Sequence, residues 1–318
     1  MAGLVLLVIA YNHNSNILYN FSGEAYGTTW SISSSEYIAD NHKEEIKNII
    51  NKIDLIASNY KPESEISQIN VNYAEYQFIS NDLFKILEIA KVVELSTDGY
   101  YNIMLGKISS TLGFAPDFGK NTLQNKASTF DIDKTNKSLK RYSKNWFDLS
   151  SIAKGYAVQE IHNYLISNNL MNHLIDIGGE IIINGNKKGI PWNIGIQNPL
   201  SSVDNSTTTI SNKNNNFLAI ATSGEYRNFK LDEYGNKVTH TINPKTLSSI
   251  KNKILSVTVV NDYSATYADA YATGFNAMGL DRAIEIANNE NIAIMVIYQK
   301  DETVDIIYSD KWYDFFDE

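Results

Sequence analysis

The order of helix-type and strand-type segments most constrains how this 318-residue chain can fold. Apolar residues recur at helical spacing in several segments, and β-branched or aromatic residues concentrate in the stretches between them. This mixture shows neither a regular βαβ alternation nor a glycine-rich nucleotide fingerprint. The sequence therefore predicts an α+β fold, with mixed or antiparallel sheets and packed helices, and not a doubly wound parallel sheet.

The periodicity also gives approximate element bounds. Helices are predicted over 41–58, 82–96, 152–167, 267–278 and 281–288. Strands are predicted over 26–33, 172–183 (two strands around Gly178-Gly179), 192–197, 217–222, 254–260, 292–298 and 304–308. The polar stretch 201–216 predicts a surface hairpin or loop and not a domain linker.

Charge and cysteine content exclude several function classes. The formal net charge is −9, and no basic cluster is evident, so nucleic acid is not expected as a partner. Because there is no cysteine, disulfides, thiolate nucleophiles and iron–sulfur clusters are excluded. The apolar run Leu4–Ala10 is too short to span a bilayer. It is either the remnant of an export signal or a buried first strand.

One segment combines a carboxylate, two hydroxyls and an amine. Residues 147–157 read FDLSSIAKGYA, with Asp148 on a strand-like stretch and Lys154 in the first turn of the third helix. Ser150 and Ser151 mark the helix start, where unpaired backbone amides attract an anion. The alternative is a surface lysine behind an ordinary serine cap.

A second segment offers a pair of hard oxygen ligands. Asp269 and Thr273 lie four residues apart in SATYADAYATG, so they share one face of the fourth helix. A carboxylate and a hydroxyl suit Mg²⁺, which takes few protein ligands and keeps room for water and phosphate oxygens. The alternative is an aspartate near a helix N-terminus with a core-facing threonine.

Two further segments contain groups suited to a phosphate or a flat ring. In ATSGEYRNF, Thr222 and Ser223 belong to a turn that exposes hydroxyls and amides, and Arg227 is a natural phosphate partner. His240 precedes a turn in HTINP, and Tyr60 in YKPESEISQIN could stack on a ring. A lone histidine is more often a packed residue than a catalyst.

Taken in order, these segments resemble the FAD:protein FMN transferase family from about Gly23 to the C-terminus. The matching segments are GEAYGTTW, YKPESEISQIN, STDGYYNIMLG, FDLSSIAKGYA, LIDIGGEIIINGN, PWNIGIQNP, IATSGEYRNF, HTINP and SVTVV…ADAYATGFNAMG. The resemblance implies a flavin transferase (T-fold-like) domain of two sublobes over 23–318, preceded by an N-terminal segment over 1–22.

The resemblance also implies site residues by position. It implies a magnesium site from the side chains of Asp269 and Thr273 and the carbonyls of Ser151 and Ala272. It implies flavin-nucleotide contacts at Tyr26, Tyr60, Tyr100, Tyr101, Asn102, Asp148, Lys154 and Ile242. His240 matches the family's histidine beside the reacting phosphates. To these we add Thr222, Ser223 and Arg227 from their own chemistry.

The implied activity is Mg²⁺-dependent transfer of FMN from FAD to a Ser or Thr hydroxyl of an acceptor protein, with release of AMP. Asp269 and His240 are the expected catalytic residues, with His240 as the base because an ordinary histidine pKa lies near neutrality. Two alternatives stay open, a FAD pyrophosphatase that gives FMN and AMP, and a FAD-binding protein without turnover.

Some positions depart from the family pattern. Asn102 and Asn243 each replace a usual aspartate, and KTLSS follows Pro244 in place of the usual loop. Asparagine keeps the hydrogen-bonding shape and loses the charge, which bears on metal and nucleotide affinity more than on reaction type. The family implies the periplasmic side of the inner membrane. A membrane anchor is left open, since the lipobox cysteine is absent.

Overall fold

A computed structural model describes residues 17–117, 124–197, 199, 206–224, 229–231, 235 and 237–315. The apolar run Leu4–Ala10 and the predicted site residue Arg227 lie outside these ranges. Among the described residues, no helix is both long and apolar enough to cross a bilayer.

Helices and strands alternate irregularly along the described chain. The helices are α1 (Asp40–Ala57), α2 (Glu65–Val71), α3 (Asn81–Ser96), α4 (Gly106–Thr111), α5 (Ala153–Ser167), α6 (Ala265–Met278) and α7 (Leu280–Asn289). The strands are β1 (Tyr19–Ala25), β2 (Thr28–Ser34), β3 (Tyr76–Phe78), β4 (Phe130–Asp133), β5 (Ser138–Arg141), β6 (His173–Ile177), β7 (Glu180–Asn184), β8 (Asn186–Lys187), β9 (Ile190–Pro191), β10 (Asn193–Gln197), β11 (Ser206–Ser211), β12 (Leu218–Gly224), β13 (Phe229–Leu231), β14 (Lys237–Thr239), β15 (Ile242–Asn243), β16 (Ser248–Ser249), β17 (Ile254–Asn261), β18 (Ala293–Lys300) and β19 (Thr303–Tyr308), followed by a 3₁₀ turn (Asp310–Phe315).

An eight-stranded sheet organises the molecule. Its strand order is β1-β2-β6-β7-β12-β17-β18-β19, and every neighbouring pair is antiparallel. A smaller three-stranded sheet has the order β3-β5-β4. The predicted α+β class with antiparallel sheets is confirmed.

The large sheet buries both faces, because its strands alternate side chains between two apolar clusters. In β12, Ala219 and Ala221 face the helices, while Leu218 and Ile220 face the opposite cluster. Residues of α1, α3, α5, α6 and α7 pack into the first cluster. The β10–β11 hairpin and Trp312 of the 3₁₀ turn cover part of the other face. This two-sided burial explains why the central strands read as continuous apolar runs.

The predicted helices lie within two residues of the observed ones, and other parts of the fold differ from the prediction or are missing from it. The strand predicted from Tyr26 begins at Thr28, because Tyr26 (φ 55°) and Gly27 (φ 73°) form the turn between β1 and β2. Helix α2 is not among the predicted helices; its cap is Ser64, whose hydroxyl accepts a hydrogen bond from Ser67 N. The small sheet went unpredicted, because its strands span three or four residues.

Candidate active site

A cavity of about 960 Å³ lies where the first turn of α5 and the middle of α6 meet the start of β7 and the end of β12. Such a volume is at the upper end of small-molecule sites and accommodates a dinucleotide-sized ligand. Fourteen of the predicted site residues line it: Tyr26, Tyr60, Tyr100, Tyr101, Asn102, Asp148, Ser151, Lys154, Thr222, Ser223, His240, Ile242, Asp269 and Thr273. Ala272 is buried in α6 and does not line the cavity; only its carbonyl was proposed as a ligand.

The segment that leads into α5 differs both from the prediction that Ser150 and Ser151 mark the helix start and from the alternative of a serine cap. The cap residue is Ile152, and no side chain caps the helix. Instead, the Asp148 carboxylate accepts a hydrogen bond from Ser150 N at 3.0 Å, which forms a local turn before the helix. Ser151 Oγ donates to the Tyr101 hydroxyl at 3.3 Å. Both serines therefore shape the loop at the cavity edge.

Lys154 forms an ion pair inside the cavity and is not a surface lysine. Its Nζ lies 2.6 Å from Oε2 of Glu180, the first residue of β7. The Glu180 side chain is almost fully buried, and the lysine is about one-quarter exposed. The pair explains why a lysine is tolerated in the first turn of a helix, where the helix dipole disfavours a cation.

Helices α5 and α6 approach closely at the predicted metal-binding aspartate. Asp269 Oδ2 accepts a hydrogen bond from Gly155 N at 2.8 Å. A Cβ at position 155 would lie 2.5 Å from the Ala265 carbonyl oxygen and 2.6 Å from Asp269 Cβ. Only glycine fits there, and its absence of a side chain lets the α5 backbone bind and orient the Asp269 carboxylate.

Three carboxylates surround the single ammonium of Lys154. Burial raises the pKa of Asp269, against the opposing effects of Lys154 and the Gly155 amide. Burial likewise raises the pKa of Glu180 and of Asp176, and Lys154 opposes both shifts. With all four groups ionised, this cluster has a formal charge of −2. It therefore attracts a cation, and it repels an anionic ligand unless a cation is also bound.

The oxygen groups of this cluster fit a hard divalent cation. Asp269 and Thr273 lie one helical turn apart, and both side chains line the cavity. Within the described ranges, the Asp269 carboxylate accepts one hydrogen bond, through Oδ2, which leaves Oδ1 for another partner. No group of three or more His, Asp or Glu with metal-site geometry occurs among those residues. A carboxylate and a hydroxyl are oxygen ligands of the type that Mg²⁺ accepts, and Mg²⁺ usually keeps several non-protein ligands.

Three of the tyrosines that line the cavity, Tyr26, Tyr60 and Tyr101, form hydrogen bonds through their hydroxyls. The Tyr60 hydroxyl donates to the Phe114 carbonyl at 2.7 Å, and the Tyr26 hydroxyl donates to the Ile50 carbonyl at 2.7 Å. Tyr60 is 68% exposed, so most of its ring is accessible. Tyr101 is fully buried, and burial raises its hydroxyl pKa. These rings are held in place before any ligand binds.

Asn102 uses its side chain to fold its own loop. Its Oδ1 accepts from Met104 N at 2.8 Å, and its Nδ2 donates to the Ser128 carbonyl at 3.1 Å. An aspartate could accept the first bond and could not donate the second. The asparagine therefore has a structural role here that the family's aspartate could not fill in the same way.

His240 and the end of β12 also line the cavity, and Thr222 and Ser223 lie in this strand, paired with β17, and not in the predicted turn. His240 lies between β14 and β15, with its ring centroid 6.3 Å from that of Phe114. The Thr222 hydroxyl lies 2.9 Å from the Thr258 hydroxyl, and Ser223 Oγ accepts from Asn276 Nδ2 at 3.2 Å. His240 and the Asp269 carboxylate thus line the same space from different elements.

Two acidic residues of the cavity, Asp176 and Glu180, are absent from the predicted site. Both flank Gly178-Gly179, a pair too short to identify a nucleotide site. A signal was present, because Glu180 begins the apolar run EIII at a position where strand alternation requires an inward side chain. A buried carboxylate at such a position needs a charged partner.

Comparisons with known proteins identify the family of this chain. The sequence profile of the ApbE family matches residues 26–296. The FAD:protein FMN transferase of Haemophilus influenzae is 31% identical over 95% of this chain and 92% of its own length. That of Vibrio cholerae is 31% identical over 89% of this chain and 88% of its own length.

Solved structures show the same fold. The flavin transferase ApbE from Vibrio cholerae superposes with a TM-score of 0.81 at 28% identity, covering 94% of this chain and 99% of its own. The apo flavinyl transferase ApbE of Pseudomonas stutzeri, at 21% identity, has a TM-score of 0.82 and supports the fold alone. On the profile match and the relatives at 31% identity, the chain belongs to the ApbE family.

Proposed function

We propose that this chain transfers FMN from FAD to a Ser or Thr hydroxyl of an acceptor protein and releases AMP. One observation carries the proposal: a single cavity contains the Asp269–Thr273 oxygen pair, the Lys154 ammonium and His240. Phosphoryl transfer depends mainly on positioning and on charge stabilisation, and these groups supply both. The relatives named FAD:protein FMN transferase support the same reaction.

Different residues would bind the phosphates, stack on the flavin nucleotide and accept the proton. Lys154 and the hydroxyls of Thr222 and Ser223 would contact the phosphate oxygens, and the anchored ring of Tyr60 would stack on a flat ring of FAD. The acceptor hydroxyl attacks the phosphorus on the FMN side, so a phosphoester bond forms as the bond to AMP breaks. His240 would take the proton of the hydroxyl.

Mg²⁺ is part of this proposal. Asp269 and Thr273 would hold it with their side-chain oxygens, and Ser151 and Ala272 with their carbonyls. When bound, it supplies the positive charge that a diphosphate requires beside three carboxylates. A location on the periplasmic side of the inner membrane and the two-sublobe domain over 23–318 are further parts of the proposal, supported by the family resemblance alone.

The reaction is tested by covalent labelling. An extract of the source organism is incubated with purified protein, FAD and Mg²⁺, and separated on a denaturing gel. We expect a fluorescent flavin band that survives denaturation and whose intact mass increases by FMN less one water. The matched control is Asp269→Asn, which keeps the shape of the side chain and removes its charge; it should give no band.

Two other outcomes identify the alternatives. If FAD is converted to FMN and AMP with no labelled protein, water is the acceptor and the chain is a pyrophosphatase. If FAD binds and no AMP is released, the chain is a flavin-binding protein. Either outcome contradicts the proposal.

A further inference from the structure

Glu180 is a buried carboxylate for which the proposed reaction has no use. Its residue exposure is 4%, it lines the cavity, and it is neither a predicted metal ligand nor a predicted flavin contact. A buried carboxylate close to an anionic ligand is unfavourable unless a cation compensates it. The only ion pair of Glu180 among the described residues is the one with Lys154, at 2.6 Å.

The backbone before Glu180 is fixed by its own turn. Gly178 (φ 64°) and Gly179 (φ 102°) close the hairpin between β6 and β7, and Gly179 N donates to Asp176 Oδ1 at 2.8 Å. Glu180 is the first β7 residue and pairs with Ile177 across the hairpin. The carboxylate therefore approaches Lys154 from a rigid sheet and not from a mobile loop.

Lys154 has more hydrogen-bonding capacity than this pair uses. An ammonium has three N–H donors on a flexible four-carbon stem. Within the described ranges one donor goes to Glu180, so two are available to a ligand in the cavity. Without Glu180, the ammonium would be drawn toward the other carboxylates of the cluster, Asp269 and Asp176, whose charges also act on it.

We propose that Glu180 is a positioning residue, which holds the Lys154 ammonium toward the diphosphate of FAD and away from Asp269. This inference rests on the proposed function, because FAD is the ligand. In this role Glu180 strengthens FAD binding through Lys154 and not through direct contact with FAD. The opposite possibility is that Glu180 merely repels FAD with its charge.

A double-mutant cycle on FAD affinity separates these roles. The variants are Glu180→Gln, Lys154→Met and the double variant, with FAD affinity measured by flavin fluorescence without acceptor. Glu180→Gln keeps the size of the side chain, so β7 should stay folded, and thermal unfolding checks this. The control is Glu88→Gln, which removes an ion pair with Lys134 outside the cavity.

Positioning predicts that Glu180→Gln weakens FAD binding about tenfold and that the double variant binds FAD no worse than Lys154→Met. Glu88→Gln should bind FAD as the unsubstituted protein does. The inference is wrong if Glu180→Gln tightens FAD binding. It is also wrong if the double variant loses FAD affinity by the product of the fold losses in the two single variants. Because binding is measured separately from AMP release, failure of the proposed transfer reaction would be distinguishable from failure of this assignment.

Discussion

Gly155 is the residue on which the geometry of the site most depends. Its amide binds Asp269, and the atoms that a side chain would meet belong partly to the backbone of α6. Backbone atoms cannot move aside as a flexible side chain can. The close spacing between α5 and α6, and with it the orientation of the Asp269 carboxylate, therefore depends on the absence of a side chain at position 155.

We predict that Gly155→Ala lowers the free energy of unfolding by about 1 to 3 kcal/mol, the usual cost of overpacking, although alanine is the better helix former. Gly274→Ala is the matched control, since position 274 is also helical and its nearest neighbours are side-chain atoms at 3.1 and 3.3 Å. Chemical denaturation measures both variants. Equal stability of the two would contradict the close-approach argument.

His240 is assigned as the base by its place in the cavity. We predict that His240→Ala slows transfer by about 100-fold or more, the contribution of a general base, with a much smaller change in FAD affinity. Single-turnover transfer and flavin fluorescence measure the two quantities. His42→Gln is the control, because His42 binds Tyr164 and lies outside the cavity. Transfer at the normal rate in His240→Ala would mean that another group takes the proton.

At the scale of elements, a buried histidine pair joins α5 to β6. His173 Nδ1 lies 2.9 Å from the Leu170 carbonyl, so this nitrogen carries the proton and donates. His173 Nε2 must then accept from His162 Nδ1, also at 2.9 Å. Burial lowers the pKa of His162 to about 4 and that of His173 to about 3, the latter helped by its partner. Both rings are neutral in the folded protein.

This pair predicts that stability falls as the pH is lowered from 6.5 toward 4. The unfolded chain binds protons near the ordinary histidine pKa of 6.5, and the folded chain does not. Above pH 6.5 the histidine pair does not reduce the free energy of unfolding. Between pH 6.5 and pH 4, His162 alone lowers the free energy of unfolding by about 3 kcal/mol. Denaturation at several pH values measures it. A His162→Gln/His173→Gln variant should show a flatter dependence, whereas His42→Gln should keep the original slope.

The sequence predicted elements better than it predicted contacts between them. Long amphipathic helices such as 41–58 contain their own signal, because apolar spacing reports which face is buried. Asp269 and Thr273 could be paired from sequence because both lie on one helix. Glu180 and Lys154 could not, because their ion pair depends on how β7 packs beside α5. Turn residues such as Tyr26 also looked like strand, since a tyrosine at positive φ has no local signature.

At the scale of the whole molecule, the net charge affects the rate at which an anionic ligand associates. The chain has a formal net charge of −9, and FAD is also negative. We predict that FAD associates about two to five times faster when salt rises from about 10 to about 200 mM, because screening reduces the repulsion. Stopped-flow fluorescence measures this rate constant. A rate that falls with salt would show that a local positive surface governs the approach of FAD.

The cation site is the central claim, and a crystal structure with FAD and Mn²⁺ in place of Mg²⁺ tests it most directly. We predict an anomalous peak within coordination distance of an Asp269 carboxylate oxygen and the Thr273 hydroxyl, with a diphosphate oxygen also on the metal. A peak elsewhere in the molecule, with FAD bound and Asp269 contacting neither metal nor phosphate, would contradict the account.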